Sequence, residues 1–246
     1  MRIMKSKVII TKQLGETPLE ALERFRAEHS YSKDVPMTYA GRLDPLAEGE
    51  LIILIGDECK NKEKYLGFDK EYEVEVLFGI STDTHDVLGL AQVAPTQVTH
   101  AQVRPVQEYL GKFTQPYPAY SSKTVDGVQL HTLSRRNELP EEMPSKEVEI
   151  YEIEILGQEK IAVTDLKERI MHNIALVKGD FRQQEIISRW NEVCASLDSN
   201  QSFPVIKIRV KCSSGTYMRS LADRMGKDAG VGGFALGIKR TKIYRK

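Results

Sequence analysis

Cysteine is scarce in this chain of 246 residues. Cys59, Cys194 and Cys212 are odd in number and far apart, so they give no CxxC pair and no disulfide framework. The five histidines, His29, His85, His100, His131 and His172, show no metal-ligand spacing with one another or with the cysteines. No metal centre is expected. Net charge is also missing: 35 Lys and Arg balance 35 Asp and Glu, which argues against bulk attraction to a polyanion. There is no long apolar run, so no membrane span is expected, and no signal peptide; the expected location is the cytoplasm. No repeat, low-complexity run or convincing linker interrupts the chain.

What is present is a composition of 41% hydrophobic and 28% charged residues, enough for a sizeable core in one large domain or two small ones. The balanced charge is unevenly spread. From Val205 to the end there are eleven Lys and Arg against two acids, and from Glu138 to Lys160 eight Glu against two Lys. The basic end is either a phosphate-contacting face or a solvated surface. Lys207, Arg209 and Lys211 share one face of an expected strand there.

The patterning mixes strands and helices. "KVIITK" at 7–12 reads as a strand. In "TPLE" at 17–20, Thr17 is an N-cap, Pro18 the first helical residue and Glu20 the partner in a capping box. The helix that follows carries Leu22 and Phe25 on one face. "EYEVEVLFGI" at 71–80 alternates Tyr72, Val74, Val76 and Phe78 with Glu71, Glu73 and Glu75, the mark of a half-buried strand. Residues 81–89 are rich in capping and turn types, 97–112 suit a helix, 115–129 are extended or irregular, and 136–147 form a charged loop. "EVEIYEIEIL" is a further strand. An amphipathic helix is expected over 180–197, capped by Asp180, with Ile186, Trp190, Val193 and Leu197 as its core stripe. A strand from Val205, a Ser-Ser-Gly turn and a helix from about Thr216 to near Gly230 close the pattern. The expected class is α+β on a mixed, mostly antiparallel sheet flanked by helices and loops.

One loop stands out. In "YAGRLDPLAEGELI" at 39–52, Gly41 and Gly49 bracket Arg42, Asp44 and Pro45 just before the apolar run Leu51–Ile55. A charged, glycine-bounded loop beside a buried strand is where a site is built, and equally where an ordinary turn is built. A lone carboxylate serves as nucleophile or base if a cation keeps it ionised and oriented. Arg219 in "SSGTYMRSL", in the first turn of a helix, is a candidate cation, but spacing alone does not pair it with Asp44.

Together these stretches resemble the TruB-type pseudouridine synthases. "AGRLDPLAEGEL" is similar to that family's Gly-x-Leu-Asp-Pro-Leu-Ala-x-Gly signature. "KEYEVEVLFGISTDTHDVLG", "QPYPAYSSKTVDG", "KCSSGTYMRSLADRMG" and "IKRTKIY" match four further family segments in the same order, from about Val8 to Tyr244. The resemblance implies a pseudouridine-synthase-like fold. Asp44 would be the catalytic aspartate that drives cleavage of the uridine N-glycosidic bond. Arg219 would keep it ionised. Tyr72 would stack on the flipped base, although alone it reads equally as a core strand aromatic. Asp86, Tyr217 and Ile238 would shape the pocket, with Lys12, Tyr39 and Arg42 as further substrate-binding candidates. Asp86 and Asp83 also suit turn caps, and Lys12 suits solvent. No cofactor would be needed. The partner would be RNA, the T-arm of tRNA in the family's habit, and the target a uridine in a loop or single strand.

The sequence departs from the family at Tyr39, where His is usual, and at Gln13, where Pro is usual. The expected organisation is a single catalytic domain over 1–246, working as a monomer, with an RNA-contacting loop insertion over about 115–147 and no PUA domain. Three other readings stay open: a non-catalytic RNA-binding or RNA-folding protein on this scaffold, a synthase with a different RNA target, and a hydrolase with an aspartate nucleophile on an unrelated fold. The last needs a second carboxylate or base beside Asp44, which the local sequence does not place.

Overall fold

The computed structural model describes residues 6–94 and 104–244. Strand β1 (Lys7–Lys12) leads to helix α1 (Pro18–Glu28), then β2 (Met37–Ala40), β3 (Ala47–Ile55), α2 (Lys62–Leu66) and β4 (Asp69–Phe78). Short strands β5 (Ile80–Thr82) and β6 (Ala91–Val93) pair with each other, and β7 (Gly111–Pro116) follows. The hairpin β8 (Thr124–Val125) and β9 (Val128–Gln129) runs into α3 (Leu130–Arg135). The long strand β10 (Ser145–Ala162), helices α4 (Val163–Leu176) and α5 (Gln183–Ser196), strand β11 (Ser202–Cys212), helix α6 (Met218–Asp228) and strand β12 (Gly233–Tyr244) complete the described chain.

The main sheet runs β1-β3-β12-β4-β11-β10-β7, with β2 continuing the edge of β3 beyond its contact with β12. Every neighbouring pair in it is antiparallel except β3 with β12. The expected α+β class with a mostly antiparallel sheet is what the chain adopts.

Period-two patterning decides which face each strand buries. Tyr72, Val74, Val76 and Phe78 join Ile206, Ile208 and Val210 in one core, closed by Met218, Leu221, Ala222 and Met225 of α6. On the opposite face α4 and α5 pack Leu166, Ile170, Ile186 and Trp190 against Leu77, Val205 and Phe234. Helix α6 comes close to β12 because Gly226 has no side chain; a Cβ there would run into the backbone of Gly232 and Gly233. Thr17 and Glu20 form the expected capping box, with Thr17 N donating to Glu20 Oε2 at 2.7 Å and Glu20 N to Thr17 Oγ1 at 3.2 Å.

Two local expectations need correction. The helix expected over 97–112 lies partly outside the described residues; within them a single 3₁₀ turn, Val106–Tyr109, gives way to β7 at Gly111. Helix α5 starts at Gln183 rather than at 180: Arg182 adopts a left-handed backbone (φ 63°), and Asp180 instead pairs with Arg135 at 2.8 Å. The basic stripe of β11 faces away from Tyr72. Antiparallel pairing sets it between two acidic strands: Lys207 lies 2.9 Å from Glu73, Arg209 2.6 Å from Glu154, and Lys211 2.5 Å from Glu152. Its charge is taken up in cross-strand pairs.

Candidate active site

The loop between β2 and β3 carries Asp44 to the rim of a cleft of about 1000 Å³. Gly41 turns the chain at φ 78°, and Ala47 N donates to Asp44 O at 3.0 Å to close the turn. The Asp44 side chain is 39% exposed, open to a ligand on one side. On its other side is Arg219, the second residue of α6, whose side chain is 3% exposed. Arg219 Nε donates to Asp44 Oδ2 at 2.7 Å. The rest of the guanidinium donates to Thr84 O at 2.7 Å and to Tyr120 O at 3.3 Å. Charge-assisted bonds to fixed carbonyls leave Arg219 little freedom, so it holds the carboxylate in one place.

A second carboxylate shares that guanidinium. Asp86 Oδ2 lies 3.4 Å from Arg219 Nε, while Asp86 Oδ1 accepts from Thr84 Oγ1 at 2.7 Å and from Leu88 N at 2.9 Å. Burial pushes the Asp86 carboxyl above its ordinary range, and the Arg219 charge works against that shift. One buried cation is shared by two carboxylates, and Asp44 is the more exposed of the two.

Tyr72 and Ile238 form apolar parts of the cleft wall, each 8% exposed. Burial pushes the Tyr72 phenol up, opposed by the nearby Arg240 charge. Tyr217 is clamped by both ends of one side-chain amide: its N–H donates to Gln115 Oε1 at 2.8 Å, and its carbonyl accepts from Gln115 Nε2 at 3.2 Å. Its ring meets Tyr117 edge-on at 5.8 Å. Burial and then the Asp44 charge push the Tyr217 phenol up as well.

A family model described as TruB family pseudouridylate synthase (N terminal domain) matches residues 31–179, which include this loop and β4. The chain belongs to the TruB family. It is 30% identical over 244 residues to tRNA pseudouridine synthase B of Aromatoleum aromaticum, covering 98% of this chain and 64% of that protein. To the protein of the same name from Parabacteroides distasonis it is 30% identical over 238 residues, with 94% of this chain and 83% of that protein covered. A chain in the crystal structure of a Cbf5-Nop10-Gar1 complex shares the fold, with a TM-score of 0.56 at 17% identity over 96% of this chain and 48% of that one.

Within this TruB-family chain, Asp44, Tyr72, Asp86, Tyr217, Arg219, Ile238, Arg42 and Tyr39 all line one cleft. Lys62 Nζ lies 5.3 Å from the centre of the Tyr39 ring. Lys12 does not reach the cleft wall. It is fully buried beneath the loop, and its ammonium donates to Gln13 O at 3.0 Å and Pro45 O at 3.1 Å. Burial lowers its pKa to about 8. Asp83 holds the 81–90 turn through Leu90 N at 2.7 Å and pairs with Arg182 at 2.9 Å. The reading of residues one by one missed the carbonyls of Thr84 and Tyr120, the Gln115 clamp and Arg240. Backbone acceptors carry no sequence signal; Gln115 and Arg240 do sit inside matched segments. Among the described residues no three His, Cys, Asp or Glu side chains converge as a metal site, and no helix is long and apolar enough to cross a membrane.

Proposed function

We propose that this chain is a tRNA pseudouridine synthase that isomerises a T-loop uridine. The observation that carries the reading is the 2.7 Å pair between Asp44 and Arg219, beside the Tyr72 ring at the wall of an open cleft. The target base leaves its stack and enters the cleft against Tyr72, with Ile238 completing the apolar wall. Asp44, oriented by its bond from Arg219 Nε, starts cleavage of the N1–C1′ bond, either by attacking C1′ or by taking the C2′ proton. The freed base turns, C5 forms the new bond to C1′, the C5 proton leaves and N1 ends protonated. The product is an isomer of the substrate, so the atoms balance without a co-reactant.

The excursion between β7 and β10 supports the expected RNA-contacting insertion. It leaves and re-enters the sheet side by side, with Tyr117 N donating to Pro144 O at 2.9 Å, and contributes Tyr117, Tyr120, His131 and Arg135 to the cleft.

The test is tritium release from RNA carrying 5-tritiated uridine, using a tRNA transcript and its isolated T-arm. Release from both, lost in Asp44→Asn with RNA binding retained, is the expected result. Binding without release by the folded wild-type protein would favour a non-catalytic RNA-binding protein or a different RNA target.

A further inference from the structure

Arg240 is a fully buried cation with no carboxylate partner among the described residues. Its side chain forms no ion pair among the described residues, and three backbone carbonyls accept from it: Glu50 O at 2.6 Å, Gly41 O at 3.1 Å and Arg42 O at 3.4 Å. Desolvating a guanidinium without a counter-charge is costly, so a fold that only needed a filled space here would do better with an apolar side chain. The three carbonyls are not scattered. Gly41 and Arg42 precede Asp44, and Glu50 follows it, so one planar group grips the catalytic loop at both ends.

The sheet explains how Arg240 reaches them. Lys12, Gly49, Arg240, Tyr72 and Val210 stand side by side in register across β1, β3, β12, β4 and β11. Gly49 makes the row possible, because a Cβ there would run into the Arg240 backbone. On either side of that glycine stands a buried cation. Lys12 holds Pro45 O from one side, and Gly15 N donates to the same carbonyl at 2.9 Å. Arg240 holds the loop from the other.

We propose that Arg240 is a positioning residue: its guanidinium fixes both ends of the Asp44 loop and thereby sets where the Asp44 carboxylate points. Arg219 restrains that carboxylate directly; Arg240 restrains the backbone that carries it. The inference rests on the proposed synthase activity for its catalytic readout, and the loop itself supplies a second one.

The experiment compares wild type, Arg240→Lys and Arg240→Gln in single-turnover tritium release at saturating tRNA. RNA affinity, melting temperature and hydrogen exchange at the Ala47 and Gly15 amides are measured alongside. A misplaced reacting group slows chemistry without weakening binding, so Arg240→Gln is expected to cut the rate about tenfold or more while leaving affinity within about twofold. Arg240→Lys, which keeps the charge but loses the fork, falls between. Both amides exchange faster in the variants. A rate per folded molecule equal to wild type with only a lower melting temperature would overturn the proposal, as would a loss confined to RNA affinity. If Arg240→Gln does not fold, Arg240→Lys decides on the same criteria. If wild type releases no tritium from any RNA, the synthase reading fails on its own; exchange at Ala47 and Gly15 then decides, and unchanged exchange rejects the positioning role.

Discussion

Asp44 and Arg219, separated by 175 positions in the chain, are joined by a 2.7 Å bond from Nε to Oδ2. The same nitrogen lies 3.4 Å from Asp86. Removing the cation leaves Asp86 as a buried carboxylate without its counter-charge, a change that costs about 3–5 kcal/mol in such pairs. Arg219→Met is therefore expected to lose roughly that much stability in urea unfolding and to lose tritium release. The double variant Arg219→Met/Asp86→Asn removes both buried charges. It should recover part of the stability and none of the activity. Full stability in Arg219→Met alone would show that the triad carries no folding energy.

Much of this arrangement is legible in the chain, and the rest is hidden for a physical reason. Strict alternation in β4 puts Tyr72 on the core face and Glu73 on the other, and the structure keeps that assignment. Glycines at 41 and 49 mark the site loop. Pairing across the sheet is not local information, so the row that sets Lys12 beside Gly49 and Arg240 is invisible in single segments. The same holds for the stripe of Lys207, Arg209 and Lys211, whose counter-charges come from strands far away in sequence. Asp180 looked like a helix cap, but its ion pair to Arg135 and the left-handed Arg182 delay the helix.

Lys12 makes stability depend on pH in the alkaline range. Its pKa falls from 10.5 in the unfolded chain to about 8 in the fold. Between those values the unfolded chain binds more protons, so Lys12 makes stability rise with pH from about 8 to about 10.5. Below 8 both states are protonated and the cost of burying the charge is constant. The full increment is about 3 kcal/mol, because each tenfold change in proton affinity is worth about 1.4 kcal/mol. The stability difference between wild type and Lys12→Met should therefore move in favour of wild type across that window. Lys70, also lowered to about 8, is present in both proteins and cancels. A difference that stays flat from about pH 8 to pH 10.5 would contradict the buried charge.

Trp190, the chain's one tryptophan, ties α5 to the turn that holds Asp86. It is fully buried, and its indole N–H donates to Val87 O at 3.2 Å. Trp190→Phe keeps most of the apolar burial but leaves that carbonyl without its donor, a loss of about 1–3 kcal/mol. Trp190→Ala also opens a cavity and costs about 3–5 kcal/mol. Urea unfolding followed by far-UV circular dichroism, which does not need the indole, should order the proteins as wild type, Phe variant, Ala variant. A Phe variant as stable as wild type would mean that the Val87 carbonyl finds another donor.

The two faces of the sheet predict different responses to salt. The cations of β11 are already matched by Glu73, Glu152 and Glu154, so replacing them is expected to release no phosphate contact. Arg42 and Lys62 line the cleft beside Asp44, where RNA backbone would run if the target base reaches Tyr72. Each phosphate contact on a single strand contributes about 0.7 to the slope of log affinity against log salt. Arg42→Gln/Lys62→Gln is therefore expected to weaken tRNA binding and to flatten that slope by about 1.4, twice that increment. The triple variant Lys207→Gln/Arg209→Gln/Lys211→Gln should leave both affinity and slope unchanged. Filter binding from low to moderate salt measures all three proteins. A flattened slope in the triple variant alone would place the RNA on the far face and remove it from the Asp44 cleft.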